Sequence, residues 1–323
     1  MTKHRAWLVA ACCLTASCGG KSPTAPTVPP QVPPPVTTAT LTGHITATNG
    51  GQPLGGVNLA FGTTQTISDP SGAFSTMMPF GTVRISITAA MIVPRTLSAA
   101  ANVSRELPLD AIVLGGGFDP NFYRQLVRNT FDAPASMQPL RRWTMNPNIY
   151  IRTVNEAGAI MDLKTLDVTE AVLRETTPMW TAGQLSVASV ERGTGTKVGV
   201  PGWITVRFAP PTINAKICGQ AQVGVSGGAI DLYSNTPGIE CRCAGLSDIR
   251  PLTVRHELGH ALGFFHTDSA SDVMAGFGVA GCDALPSARE RYHAAIAYRR
   301  PVGNMEPDAD PTSAIALAPM SVQ

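Results

Sequence analysis

Three of the chain's six histidines fall within eleven positions, in the order His256-Glu257-Leu258-Gly259-His260-Ala261-Leu262-Gly263-Phe264-Phe265-His266. No other stretch constrains the fold as tightly. On a helix, His256 and His260 lie one above the other on the same face, so their imidazoles can share one metal ion. Glu257 stands beside the first of them, where a carboxylate can exchange a proton with water near the metal. Gly263 accepts the positive φ needed to turn sharply out of the helix, and the turn brings His266 back as a third nitrogen ligand. Three protein ligands leave one position open, which separates a catalytic zinc site from a structural one. The spacing predicts a helix over 250–262, with Ser247 or Asp248 as its cap and Pro251 in its first turn.

This H-E-x-x-H-x-x-G-x-x-H pattern resembles the zinc signature of the metzincin metallopeptidases, the clan that includes matrix metalloproteinases and astacins. Those families place a methionine beneath the ligands in a Met-turn, and Ser271-Asp272-Val273-Met274 stands at the matching position. The resemblance implies one catalytic Zn2+ held by His256, His260 and His266, with Glu257 as general base and then acid. The activity it implies is endopeptidase cleavage of a protein or peptide. It also implies an extended substrate laid along an edge strand such as 228–233. Some relatives carry a tyrosine just after the Met-turn; here Ala275-Gly276-Phe277 follows, which leaves zinc as the main electrophile. Nothing in the sequence assigns a calcium site or a latency ligand. The competing expectation is an inactive zinc-binding surface lipoprotein with an adhesive role.

Residues 1–17 read as an export signal. Lys3 and Arg5 form a basic start, and Ala6 to Ala16 is an apolar run too short to span a bilayer. The small residues before Cys18 resemble a bacterial lipobox, which implies lipidation at Cys18 and a place in the cell envelope, with plain secretion as the alternative. Residues 18–38 are a spacer rich in Pro and Thr, expected to be extended. Without Lys3 and Arg5, the remaining 22 basic residues face 22 acidic ones. A neutral chain with no basic run argues against nucleic acid as a partner. The membrane is expected to be met through the lipid anchor alone, and a monomer is the default.

The fold class expected is α+β in two domains. Residues 39–115 alternate as strands separated by turns at Asn49-Gly50-Gly51 and Asp69-Pro70-Ser71-Gly72. The series Gly43-x-Ile45, Pro53-Leu54-x-x-Val57 and Ser68-Asp69-x-x-Gly72-x-Phe74 resembles the carboxypeptidase regulatory-like, transthyretin-type β-sandwich. The strand run is expected to end at Met91-Ile92-Val93-Pro94. Gly115-Gly116-Gly117 reads as a hinge. The metallopeptidase-like domain is expected over 118–304: a helix around Phe122–Val127, a strand from Asn148, a helix over 166–181, strands at 186–192, 203–208 and 228–233, the metal helix, and a last helix over 288–299. Residues 305–323 read as a C-terminal tail. Four cysteines remain after the leader, Cys218, Cys241, Cys243 and Cys282, which suits two disulfides in an exported protein. Cys241 and Cys243 are too close to pair with each other, so they bridge to Cys218 and Cys282 in one order or the other.

Overall fold

The computed structural model describes residues 37–209, 217–233, 241–243, 247–277 and 281–322. The expected leader, Cys18 and nearly all of the Pro-rich spacer lie outside the described residues. The architecture is mixed α and β, with three sheets and four helices among the described residues.

The N-terminal strands are β1 (Thr38–Ala47), β2 (Asn58–Phe61), β3 (Thr64–Ile67), β4 (Ala73–Pro79), β5 (Thr82–Thr88), β6 (Arg95–Ala100), β7 (Arg105–Glu106) and β8 (Leu109–Ala111). One sheet runs β4-β1-β7, with β8 also paired to β1; the other runs β3-β2-β5-β6. Period-2 alternation decides their inner faces. Leu41 and Ile45 of β1 and Val83, Ile85 and Ile87 of β5 share one apolar cluster with Phe61 and Phe74. Gly43 is required there, because a Cβ would overlap the Leu107 carbonyl and press on the Phe74 ring. Asp69 closes its turn by accepting from the Ser71 and Ala73 backbone N–H groups at 2.8 and 3.0 Å. Strand pairing does not stop at Pro94, as the sequence suggested. It resumes as β6, whose buried Arg95 breaks the apolar alternation and is neutralised by Asp110 and Asp310.

The second set of elements is α1 (Pro120–Arg128), β9 (Asn148–Arg152), α2 (Leu163–Trp180), β10 (Ser189–Gly193), β11 (Trp203–Ala209), β12 (Gly219–Gln222), β13 (Ala229–Tyr233), α3 (Pro251–Ala261), α4 (Ala288–Ala297) and β14 (Ser321–Val322). Its sheet runs β10-β9-β11-β13-β12-β14. The first four strands in that order are parallel and β12 is antiparallel. Helix α2 makes the crossover that a parallel β9–β10 pair needs. Ile204, Val206, Ile230 and Leu232 from the sheet share a core with Leu173, Trp180, Leu258 and Phe264. No helix among the described residues is long and apolar enough to cross a membrane.

Two local expectations are corrected. The stretch 228–233 is not an edge: β13 is flanked by β11 and β12. The antiparallel strand outside it, Gly-Gln-Ala-Gln, carries no apolar alternation by which the sequence could reveal it. Helix α3 is not capped by Ser247 or Asp248. Arg250 is the N-cap and makes no side-chain cap bond, while the Ser247 hydroxyl donates to the Ile249 carbonyl. Pro251 leaves one orphan N–H fewer to satisfy, and the Cys282 carbonyl accepts from Leu252 N at 3.0 Å.

The two cores meet across a buried ionic joint. Arg300, with no exposed surface, pairs with Asp308 at 2.8 Å and Asp110 at 2.7 Å and donates to Thr48 Oγ1 at 2.9 Å. Burial alone would raise the Asp110 carboxyl, but Arg300 and Arg95 outweigh it and hold it below the ordinary carboxylate range. The segment from 305 onward returns to the molecule: Asp308 and Asp310 enter this joint, and Met305 and Ala309 bridge each other. Replacing Asp308 by Ala strands a buried guanidinium with half its partners. The expected loss is about 3–5 kcal/mol of unfolding free energy, measured by urea denaturation, and a loss below 1 kcal/mol would show that the joint holds nothing.

Candidate metal centre

Helix α3 is buried along most of its length, so its side chains are fixed by packing. Trp180 lies against its flank and donates from Nε1 to the Arg255 carbonyl at 3.2 Å. Its last carbonyls are also occupied: Trp143 Nε1 donates to Ala261 O at 2.8 Å, and Tyr298 Oη to Leu262 O at 2.9 Å. Tyr298 is thereby committed to the helix end. Tyr292 bonds to the Gly116 carbonyl and Asn49, which places it at the contact with the N-terminal sheets. Gly263 has φ +115°, and a Cβ there would collide with the Arg141 carbonyl. Both facts require glycine, and both direct the chain back so that His266 rejoins the other histidines.

His256, His260 and His266 form a group that could hold a metal ion, their ligand atoms all within 4.8 Å of one another. His260 Nε2 lies 3.0 Å from His256 Nε2 and 3.2 Å from His266 Nε2. The other ring nitrogens fix the tautomers. His256 Nδ1 meets the Val273 carbonyl at 2.6 Å, His260 Nδ1 meets the Phe264 carbonyl at 2.8 Å, and His266 Nδ1 meets Asp132 Oδ2 at 2.9 Å. Carbonyls and carboxylates only accept, so each Nδ1 carries a hydrogen and each Nε2 faces the other two rings. Burial, then the neighbouring His266, pushes His256 down to about 4; burial, then His256 and His266, pushes His260 far below its ordinary value. Three imidazole lone pairs aimed at one point fit a divalent cation with nitrogen preference.

Glu257 lies against the sheet. A Cβ on Gly219 of β12 would stand 2.5 Å from Glu257 Oε1, so glycine makes room for the carboxylate. The side chain is buried, and Oε2 has no hydrogen-bond partner among the described residues. Burial, then Asp231, raises this carboxyl well above the usual range. Met274 has no exposed surface, and a Cβ on Gly259 would overlap its sulfur. The methionine thus lies against the helix between the two ligand turns.

The sequence did not single out the groups that hold this loop. Glu290 of α4 is fully buried and accepts from Met274 N at 2.8 Å, Val273 N at 3.1 Å and Ser287 N at 2.6 Å. Burial raises its carboxyl to about 7, against the pull of those donors. Asp272 accepts from Thr267, Ser287 and Arg289. Only Ser287-x-x-Glu290 left a trace in the sequence, as a capping box. Asp132, far upstream in a loop, left none. Phe131 packs edge-on to His266 at 6.4 Å and 6.5 Å from Phe277, over Gly276, where a Cβ would strike it.

The cysteines resolve as Cys218–Cys241 and Cys243–Cys282. Cys218 accepts from Tyr233 N, and Cys241 from Arg250 N, so the bridges tie β12 and β13 to the start of α3. Two disulfides suit an extracellular or periplasmic compartment.

No family model and no curated protein matches the chain. Among solved structures, metalloproteinase-II from Bacteroides fragilis is similar at 12% identity and a TM-score of 0.31, over 81% of this chain and 91% of that one. A DUF3823 family protein from Parabacteroides merdae is similar at 17% identity and TM-score 0.21, over 24% of this chain and 46% of that one. A cohesin–X-dockerin complex from Acetivibrio cellulolyticus is similar at 18% identity and TM-score 0.20, over 25% and 65%. This chain thus spans less than two-thirds of either of the last two. None of these similarities assigns a family or an activity.

The geometry yields two expectations. Asp132→Asn removes the carboxylate that orients His266, and metal affinity, read by chelator competition, should fall about 10–100-fold with the fold intact; an unchanged affinity would remove Asp132 from the site. In metal-free protein, His256 has a folded pKa near 4, below its unfolded value of about 6.5. The stability tied to its neutral form is present above pH ~6.5 and lost as pH falls toward ~4, on the order of 1–3 kcal/mol. Denaturant titrations across that window should show the decline relative to His256→Gln; parallel profiles would refute it.

Proposed function

We propose that the chain is a zinc-dependent endopeptidase of the metzincin type. The observation that carries this reading is the three inward lone pairs beside a buried carboxylate with a free oxygen. His256, His260 and His266 would hold one Zn2+, with Met274 as the Met-turn residue beneath them. The nitrogen-only donor set suits zinc. When bound, zinc supplies a Lewis acid that acidifies water and polarises a scissile carbonyl.

The chain's own contribution is orientation and proton transfer. Val273 O, Phe264 O and Asp132 keep the three hydrogens on Nδ1 and so keep every Nε2 free. Glu257 Oε2 takes a proton from water as its oxygen attacks the carbonyl carbon. It returns that proton to the amide nitrogen as the C–N bond breaks. A cation at the histidine focus would favour the ionised form of Glu257, against the burial that raises its carboxyl.

The rest of the expected organisation belongs to the same proposal. The two N-terminal sheets form the carboxypeptidase regulatory-like sandwich over 39–115, and the peptidase domain covers 118–304. A lipid at Cys18 anchors the protein to the cell envelope, and its partner is a protein or peptide substrate, with no nucleic acid.

Two substitutions separate the roles. His260→Ala should abolish both zinc content and casein cleavage. Glu257→Gln should keep zinc near one per chain while cleavage drops by roughly 10²–10⁴-fold. Full activity in Glu257→Gln would refute the mechanism, and a wild-type protein that binds zinc but cleaves nothing would leave the inactive lipoprotein reading in its place.

A further inference from the structure

We propose that Phe131, Asp132 and Phe277 form a subsite for an arginine side chain, so that the site takes peptides with arginine close to the scissile bond. This inference rests on the peptidase reading above.

Two aromatic rings and one carboxylate gather around His266. Asp132 Oδ2 meets its Nδ1 at 2.9 Å, and Phe131 stands edge-on to its ring at 6.4 Å. Phe277 adds a second ring 6.5 Å from Phe131. The loop after Met274 makes room for this arrangement. A Cβ on Gly276 would overlap the Phe131 ring, and Gly276 is fixed there by its N–H, which donates to the Thr267 carbonyl at 3.0 Å. Neither ring belongs to an apolar core among the described residues. Phe131 is half-buried, and Phe277 is 48% exposed. Aromatic surface is therefore presented at the rim of the metal centre.

The charge beside these rings is unmatched. The Asp132 side chain is 36% exposed, and its one ion-pair partner among the described residues is His266. A histidine that ligates a metal is neutral, so it lends Asp132 a hydrogen and no counter-charge. By contrast Asp272, in the loop beneath the ligands, holds Arg289. The bond to His266 uses one Asp132 oxygen, and a carboxylate has a second with its own lone pairs.

A guanidinium answers both features. Its planar face stacks on a ring while its N–H fork bonds a carboxylate. Lysine brings the charge without the plane, and an aliphatic side chain leaves the carboxylate unmatched. Asp132 bonds Nδ1, on the far side of the ring from the Nε2 that faces the other ligands. A long side chain lying beside His266 spans that distance, which puts the arginine next to the scissile bond or one residue further along.

The test uses short fluorogenic peptides that carry arginine at each position in turn. A matched series carries citrulline, which keeps the shape and loses the charge. Wild-type protein reads kcat/KM. Zinc-loaded Glu257→Gln protein reads binding of the same peptides by anisotropy, so recognition is measured without cleavage. At one position near the scissile bond arginine should exceed citrulline about tenfold in both readouts, and the margin should shrink as salt rises. Phe277→Leu and Phe131→Leu keep apolar bulk without the ring, and each should reduce the margin to about threefold at unchanged zinc content. Asp132→Asn should abolish it; the ratio is taken within each zinc-saturated protein, so weaker metal binding in this variant does not enter. Cleavage with arginine and citrulline equal at every position would overturn the subsite and leave the peptidase reading standing. No cleavage, together with arginine-selective binding that Phe277→Leu weakens, would do the reverse. Peptides that are neither cleaved nor bound selectively sink both. A margin that survives all three substitutions places the arginine elsewhere and overturns the assignment. Should Asp132→Asn fail to hold zinc, the two phenylalanine variants decide alone.

Discussion

His260 Nε2 stands 3.0 Å from His256 Nε2 and 3.2 Å from His266 Nε2, and burial holds His256 and His260 well below their ordinary values. Each ring is pinned from behind. Val273 and Phe264 pin two rings by their carbonyls, and Asp132 pins the third by its carboxylate. Those pins lie in three different segments, so the donor set exists only when the loop after α1, the turn after α3 and the loop containing Met274 are all in place. A cation at the focus would be held by all three rings at once.

The loop that supplies Val273 is itself suspended from α4. Glu290 accepts three backbone N–H groups with one carboxylate, two of them from residues 273 and 274. The Val273 peptide unit is thus held on both sides, by Glu290 at its nitrogen and by His256 at its oxygen. Removing the acceptor would leave buried donors unsatisfied, at ~1–3 kcal/mol each. Further out, Arg300 anchors the end of α4 to Asp110 and Asp308. The metal helix, its underlying loop and the N-terminal sheets are therefore connected through buried polar groups as well as apolar packing. Burying Arg300 is costly in itself, and both of its acidic partners are needed to offset it.

Around α3 the constraint is also steric. Gly219 and Gly259 leave space that larger side chains would fill, one for the Glu257 carboxylate and one for the Met274 sulfur. The disulfides hold β12 and the start of α3 in register with this packing. A buried carboxylate with one oxygen unpartnered suits the proton-transfer role proposed for Glu257.

The histidine triad and Gly263 were legible because helical spacing and the needs of a turn are local rules, carried by residues close in sequence, whereas Met274 was singled out only by the family resemblance. Alternating strands such as β1 and β5 were legible for the same reason. The disulfide partners were narrowed to two pairings by adjacency, and only the fold chose between them. Asp132, Gly219 and β14 had no local signature, and Glu290 had only that of a helix cap. Their roles come from contacts across long stretches of chain, and a carboxylate in a loop looks the same in sequence whether it faces water or a histidine. β12 was hidden because its order in the sheet, not its side chains, makes it a strand, and that order turned 228–233 from an expected edge into an interior strand. Sequence thus determined which residues could form the donor set, while tertiary structure decided what orients them and which strands lie inside the sheet, because hydrogen-bond partners and sheet order are properties of the packed chain.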